Sequence, residues 1–154
     1  MLETPHVALG AAIAFKIGNP YLAIPLALTS HFILERVPHW NPHLNTEMKK
    51  YGHLTNKTRL IIAVDTTLAL GLGIIIALKA LPNSSLSLLV IASSFTAILP
   101  NLMESPYFIF GIKNKYIQKW ISLQKKIQID ATPFWGILTQ IIVLASTLYW
   151  IFIS

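Results

Sequence analysis

Long apolar stretches separated by short polar segments dominate the chain. Residues 80–103 and 131–154 contain no Asp, Glu, Lys or Arg, and residues 60–78 contain only Asp65. A helix of about 20 apolar residues crosses a hydrocarbon core of about 30 Å. The pattern therefore predicts three transmembrane helices, over about residues 58–80, 85–109 and 132–153.

Two shorter apolar stretches precede these spans. Lys16 and the sequence Gly18-Asn19-Pro20 separate them, which predicts two short helices over about residues 5–18 and 20–37. At about 1.5 Å per residue, a helix of roughly a dozen residues does not cross the core. We therefore expect either a re-entrant hairpin or two short, tilted spans enclosed by protein.

The segment 112–129 has a helical pattern of a different kind. Its apolar arc and the polar residues opposite are typical of an interfacial amphipathic helix, although Ile117 and Ile121 fall outside the arc. The arc consists of Ile112, Tyr116, Trp120, Leu123 and Ile127, opposite Asn114, Gln118, Ser122 and Lys125. The predicted fold class is all-α, with residues 1–154 forming a single polytopic membrane domain.

Composition narrows the class further. Hydrophobic residues make up 54% of the chain, charged residues only 12%, and Cys is absent. These values exclude a disordered chain and a disulfide scaffold, and the lack of Cys excludes a thiol nucleophile or a Cys-ligated metal.

The net charge of +6 is explained by membrane topology. Basic residues concentrate in two segments, 49–59 and 113–126, and the positive-inside rule places both on the cytoplasmic side. This arrangement predicts a multi-pass protein of the cytoplasmic (inner) membrane with its C-terminus outside. Nucleic acid is not expected as a partner, whereas membrane lipid is.

Polar residues within or beside the apolar helices are the candidate functional residues, since a charge in the bilayer usually faces a partner or a cavity. The predicted topology places all of them at one depth, on the cytoplasmic side, which suggests a single site among four helices. The candidates are His6, His31, Glu35, His39, Asp65, Asn101 and Glu104. His43 and His53 lie in the polar loop and are expected to be solvated.

Imidazole, carboxylate and amide groups together suit a first-row divalent metal, with zinc expected first and manganese or iron as alternatives. We assign the metal to His6, His31, His39 and Asp65, with Asn101 orienting water or substrate. A bound metal can lower the pKa of its water to about 7. A carboxylate outside the metal shell, Glu35 or Glu104, would then be the general base.

Three segments resemble those of small bacterial membrane-bound metal-dependent hydrolases, including the LexA-regulated inner-membrane type. They are His6 with Gly10 at the start of an apolar helix, the segment Ser30-His31-Phe32-Ile33-Leu34-Glu35-Arg36-Val37-Pro38-His39, and the segment Leu99-Pro100-Asn101-Leu102-Met103-Glu104. The resemblance covers about residues 4–110. It implies a metal site on His6, His31, Glu35, His39, Asp65 and Glu104.

The chain departs from this family pattern in three places. Glu35 stands where Asp is usual, Asn101 replaces the Asp of the Leu-Pro-Asp segment, and a His-Arg-Gly-x-Thr-His segment is absent. An amide can ligate or orient water but cannot act as a base. A weakened or inactive site is therefore an alternative to an active one.

Three functions follow from these features. The first is a metal-dependent hydrolase acting on a lipid-linked or phosphoester substrate. The second is a non-catalytic membrane protein in which the polar cluster is a structural metal or ion site. A transporter is third, because the outer halves of the helices offer no polar pathway. Small residues such as Gly10 and Gly71 permit close helix packing within one chain or in a homo-oligomer.

Overall fold

The computed structural model describes residues 1–153, and within that range it contains eight helices and no β-strand. They are α1 (Glu3–Ile17), α2 (Pro20–Glu35), α3 (Leu44–Tyr51), α4 (Asn56–Lys79), α5 (Ser84–Leu102), α6 (Ser105–Phe110), α7 (Lys115–Ile127) and α8 (Pro133–Phe152). The predicted all-α fold class is confirmed. Helices α4, α5 and α8 are each long and apolar enough to cross a membrane, as expected for a membrane protein.

The turn between α1 and α2 has a local cause at each of its three residues. Gly18 has φ 66°, a left-handed conformation that ends α1 and that glycine adopts without steric strain. The Asn19 side chain accepts a hydrogen bond from the Tyr21 amide at 2.9 Å and so caps α2. Pro20 is the first residue of α2, where its missing N–H is not needed.

Helix α1 is the central element of the bundle. It packs against α2, α4, α5 and α8, and most of its residues are buried. Gly10 allows a close approach to α5, because a Cβ atom at this position would lie 2.7 Å from the carbonyl O of Ser93. This short helix is therefore enclosed by protein, whereas α2 exposes apolar side chains such as Tyr21, Leu22 and Ile33.

The predicted helix over residues 85–109 is divided in the structure. Helix α5 ends at Leu102 and α6 begins at Ser105, with Pro106 in its first turn. A proline there has no N–H to continue the hydrogen-bond ladder of α5, so the chain turns. The turn places Glu104 between the two helices.

Two further elements differ from the expectation. The polar loop after α2 contains the short helix α3, which Gly52 ends at φ 74°. In α7, Ile121 is buried and Ile117 is half-buried, whereas Tyr116 is 68% exposed. The side of α7 that packs against the protein therefore carries Ile117 and Ile121, while Ile112, Tyr116 and Leu123 of the predicted arc are exposed, as an interfacial helix requires. The indole N–H of Trp120 fixes this orientation by donating to the carbonyl O of Pro100 at 2.9 Å.

The segment after α2 pairs with the connection between α7 and α8. The His39 amide donates to the carbonyl O of Ile129 at 3.1 Å, and the Ala131 amide donates to the carbonyl O of His39 at 2.8 Å. Gly136 of α8 permits this contact, since a Cβ atom there would lie 2.2 Å from the Trp40 amide nitrogen. His39 is thereby held beside the end of α2.

Candidate metal site

Three buried side chains from α1 and α2 converge on one point. His6, His31 and Glu35 each offer a ligand atom within 4.8 Å of the others. Both imidazoles are fully buried and Glu35 is 3% exposed. His31 and Glu35 are four residues apart, so they project from the same face of α2.

Glu35 connects most of this cluster. Its Oε1 atom lies 3.2 Å from His6 Nε2 and also accepts from the amino group of Met1. The rings of His6 and His31 are stacked with their centroids 4.3 Å apart. Nδ1 of His6 is buried without a hydrogen-bond partner. Glu35 thus links His6 to the amino group of Met1, beside the stacked pair of imidazoles.

The proton of His31 can be placed from its partners. Its Nδ1 atom lies 2.8 Å from the carbonyl O of Ala97, which can only accept, so Nδ1 carries the proton. Nε2 therefore presents a lone pair, as a metal ligand must. This lone pair accepts from the Gln124 amide at 3.3 Å, a contact that a metal on His31 would replace.

His39 lies on the other side of Glu35. Its Nε2 atom is 3.6 Å from Glu35 Oε2 and is buried without a hydrogen-bond partner. Burial lowers the pKa of His39. The ring is therefore neutral at pH 7 and lies against Glu35, outside the group of His6, His31 and Glu35 whose ligand atoms lie within 4.8 Å of one another.

Asp65 lies outside the group of His6, His31 and Glu35. Its Oδ2 atom accepts from the Glu3 amide at 2.6 Å, and its Oδ1 atom accepts from the Thr4 amide at 3.2 Å and from the Thr4 hydroxyl at 2.7 Å. Free amides at a helix start attract an acidic side chain. The structure therefore places Asp65 at the N-terminus of α1, with both oxygens in use.

Asn101 and Glu104 lie beside the cluster. The Asn101 amide donates to Glu3 Oε1 at 3.0 Å. Glu104 Oε1 is buried without a partner, and burial raises the pKa of Glu104 to about 7. A carboxyl with that pKa can take up or release a proton near neutral pH.

Sequence reasoning missed two polar residues of this region, Glu3 and Gln124. Gln124 is 6% exposed and donates to His31 Nε2 at 3.3 Å and to Asn101 Oδ1 at 3.4 Å. Glu3 accepts from Asn101 and keeps its Oε2 atom buried without a partner. The position of Glu3 three residues before His6, on the same side of α1, was the available signal. His43 and His53 are exposed, as expected.

A cavity of about 360 Å³ adjoins the cluster. Glu35, Asn101, Glu104 and Gln124 line its polar part, and residues of α4, α5 and α6 form its apolar walls. A reactant in this cavity can therefore reach Glu35 and Glu104 together.

Nitrogen and oxygen donors of this kind suit zinc, and two imidazoles with one carboxylate are a known ligand set of catalytic zinc sites. The two rings can present lone pairs and the carboxylate supplies negative charge, so the residues fit a divalent metal. Comparison with protein-family models, curated proteins and solved structures gives no significant match.

Proposed function

We propose that this chain is a metal-dependent hydrolase of the cytoplasmic (inner) membrane that acts on a phosphoester or lipid-linked substrate. The observation that carries the proposal is the buried group of His6, His31 and Glu35, within 4.8 Å of one another and beside a cavity. We take zinc as the metal, with manganese or iron as alternatives.

Each residue of the cluster has a separate role in the proposed reaction. His6, His31 and Glu35 would hold the metal, which supplies a Lewis acid and lowers the pKa of water to about 7. His39, whose Nε2 atom faces the Oε2 atom of Glu35, is the candidate for a further metal ligand. This ligand set leaves Glu104 as the base, because Glu35 is engaged by its neighbours and Glu104 Oε1 is unpartnered.

In the proposed reaction Glu104 accepts a proton from the attacking water as its oxygen bonds to phosphorus. The bond from phosphorus to the leaving oxygen breaks, and Glu104 returns the proton to that oxygen. One water is consumed and one phosphoester bond is cleaved. Asn101 has no acidic proton to exchange, so its part is to hold Glu3 and Gln124 in place.

The membrane topology supports access from the inner leaflet. Basic residues 113–126 and 49–59 flank the end of the bundle at which the cluster lies, and the positive-inside rule places this end in the cytoplasm. With three helices long enough to cross a membrane, the chain would be multi-pass.

Metal content is the first test. Full-length protein purified in detergent should carry about one equivalent of metal by mass spectrometry, and His6→Ala/His31→Ala should carry little. His53→Ala is the matched control, because His53 is exposed. Phosphoester hydrolysis by the parent, lost in the double variant, would support the enzyme. Metal without hydrolysis would instead favour a structural metal site, and no metal after reloading would overturn both.

A further inference from the structure

Two buried oxygen atoms beside the cluster have no hydrogen-bond donor. They are Oε2 of Glu3 and Oε1 of Gln124, and both residues line the cavity. Gln124 itself is only 6% exposed. Buried acceptors of this kind are normally satisfied, so both oxygens are available to a donor that enters the cavity.

The orientation of Gln124 follows from its neighbours. His31 Nε2 carries a lone pair because Nδ1 donates to the Ala97 carbonyl. Asn101 directs its amide nitrogen to Glu3, which leaves its Oδ1 atom as an acceptor. Gln124 therefore offers its nitrogen to both atoms, at 3.3 Å and 3.4 Å. Where a metal takes His31 Nε2, the contact with Asn101 still directs the nitrogen, so the oxygen of Gln124 is left over.

The charge of the cavity favours a cation. Its lining includes five carboxyl groups, those of Glu3, Glu35, Asp65, Glu104 and Asp130. Burial raises the pKa of Glu3 to about 8 and that of Glu104 to about 7, and a cation bound beside Glu3 would favour its carboxylate form. Among residues 1–153, its lining includes Lys125 as the single Lys or Arg, together with the amino group of Met1, which pairs with Glu35. The cavity is therefore acidic although the chain carries a net charge of +6. A neutral polyol would satisfy the two oxygens but would leave this charge unbalanced.

The cavity also has an apolar side that reaches the outer surface of the bundle. Leu70 on α4 and Ile109 on α6 line it and are 60% and 66% exposed. Leu102 at the end of α5 lines it as well and is 37% exposed. An acyl chain can therefore lie along these residues while a polar head group enters the acidic part.

We propose that this cavity binds a phosphoester lipid whose head group ends in a primary ammonium. The ammonium would donate to Glu3 Oε2 and Gln124 Oε1. A quaternary ammonium carries the same charge but has no N–H to donate, so it would leave both oxygens unpartnered. The inference rests on the proposed function for the phosphate end of the lipid, whereas the head-group preference stands on Glu3 and Gln124 alone.

Native mass spectrometry of the full chain with two lipids of identical acyl chains tests the proposal. With equimolar dioleoyl phosphatidylethanolamine and dioleoyl phosphatidylcholine, we expect the parent to retain the primary amine about tenfold more. Glu3→Gln should bring the ratio close to one, and Gln124→Leu should lower it. Glu47→Gln, which removes a carboxylate outside the cavity, should leave the ratio unchanged.

The comparison of the two lipids on the parent protein does not depend on whether any variant folds. Equal retention of the two lipids by the parent would overturn the proposal, as would preferred retention of dioleoyl phosphatidylglycerol. Equal competition by soluble phosphoethanolamine would overturn the lipid part. Two equivalents of metal, one of them lost in Glu3→Gln, would assign the oxygens to a second cation instead.

The proposed hydrolase can fail separately from this inference. A tenfold lipid preference in a parent that holds no metal, or that hydrolyses nothing, would support the head-group site and count against the enzyme. His6→Ala distinguishes the two sites in the other direction, because it should lose metal and keep the lipid preference.

Discussion

An acceptor nitrogen of His39 faces an acceptor oxygen of Glu35. Nε2 of His39 lies 3.6 Å from Oε2 of Glu35, and Nδ1 of the same ring lies 2.7 Å from the carbonyl O of Val37. Since Nδ1 must donate to that carbonyl, Nε2 of the neutral ring presents a lone pair to a carboxylate oxygen. Two such buried atoms repel each other unless a cation or a donor lies between them.

This relationship predicts that His39 supports metal binding. We expect His39→Ala to weaken zinc affinity by about 10–100-fold, the range found when a supporting group is removed. His6→Ala should abolish stoichiometric binding. Zinc titration against a competing chelator measures both, with His43→Ala as an exposed control. An affinity unchanged in His39→Ala would remove this residue from the site.

Glu104 should control the pH dependence of hydrolysis. Burial raises its pKa to about 7, and a base is active when deprotonated, so kcat/KM should rise with pH and level off above about 7. A metal held nearby favours the carboxylate and would move this limb lower. The profile is measured with a chromogenic phosphoester in mixed micelles.

Glu104→Gln should lower turnover by about 10²–10⁴-fold and remove this pH limb. Its metal content should equal that of the parent. Parent-like turnover in this variant would exclude Glu104 as the base. A loss of metal together with turnover would instead place Glu104 among the ligands.

Asp65 can act as an acceptor for the first amides of α1 or as a metal ligand, and one variant distinguishes the two roles. As the acceptor for the first amides of α1, it should contribute about 0.5–2 kcal/mol to stability. We therefore expect Asp65→Asn to lower the melting temperature in detergent while the folded protein keeps its metal. A folded variant that has lost its metal would restore Asp65 to the ligand set.

Gly10 on α1 tests how tightly this helix packs, and Gly71 on α4 is the matched control. A Cβ atom at Gly10 would meet both Ala97 Cβ and Ser93 O at 2.7 Å, whereas at Gly71 it would meet no atom within 4 Å. Gly10→Ala should therefore cost about 1–3 kcal/mol of stability. Gly71→Ala should be neutral or slightly stabilising, because alanine favours helix. Thermal unfolding in detergent compares the two, and equal stability would contradict the tight contact.

The long helices, and His31 and Glu35 of the cluster, can be predicted from the sequence for one physical reason. A charged or imidazole side chain within an apolar run is conspicuous, because it is costly in lipid unless it faces a partner. His31 and Glu35 stand out in this way, and helical spacing already places them on one face. Their contact with His6 completes the group that the structure shows.

Other parts depend on contacts that a linear pattern does not contain. In the sequence, Glu3 and Gln124 have polar neighbours, so their polarity does not distinguish them as candidates. Gln124 becomes buried only through the packing of α7. The depth argument placed Asp65 on the cytoplasmic side with the other candidates. It could not distinguish a metal ligand from an acceptor for the amides of α1, because both roles need a carboxylate there.

The central position of α1 ties the site to the order in which the protein is made. The candidate ligand His6 is synthesised before the helices that enclose α1, and three of these four helices follow much later, with α8 last. Until they arrive, α1 has no complete protein environment, and the His6 and Glu35 pair lacks the walls that exclude water. Metal binding at this site would therefore require that all four enclosing helices have been inserted and packed.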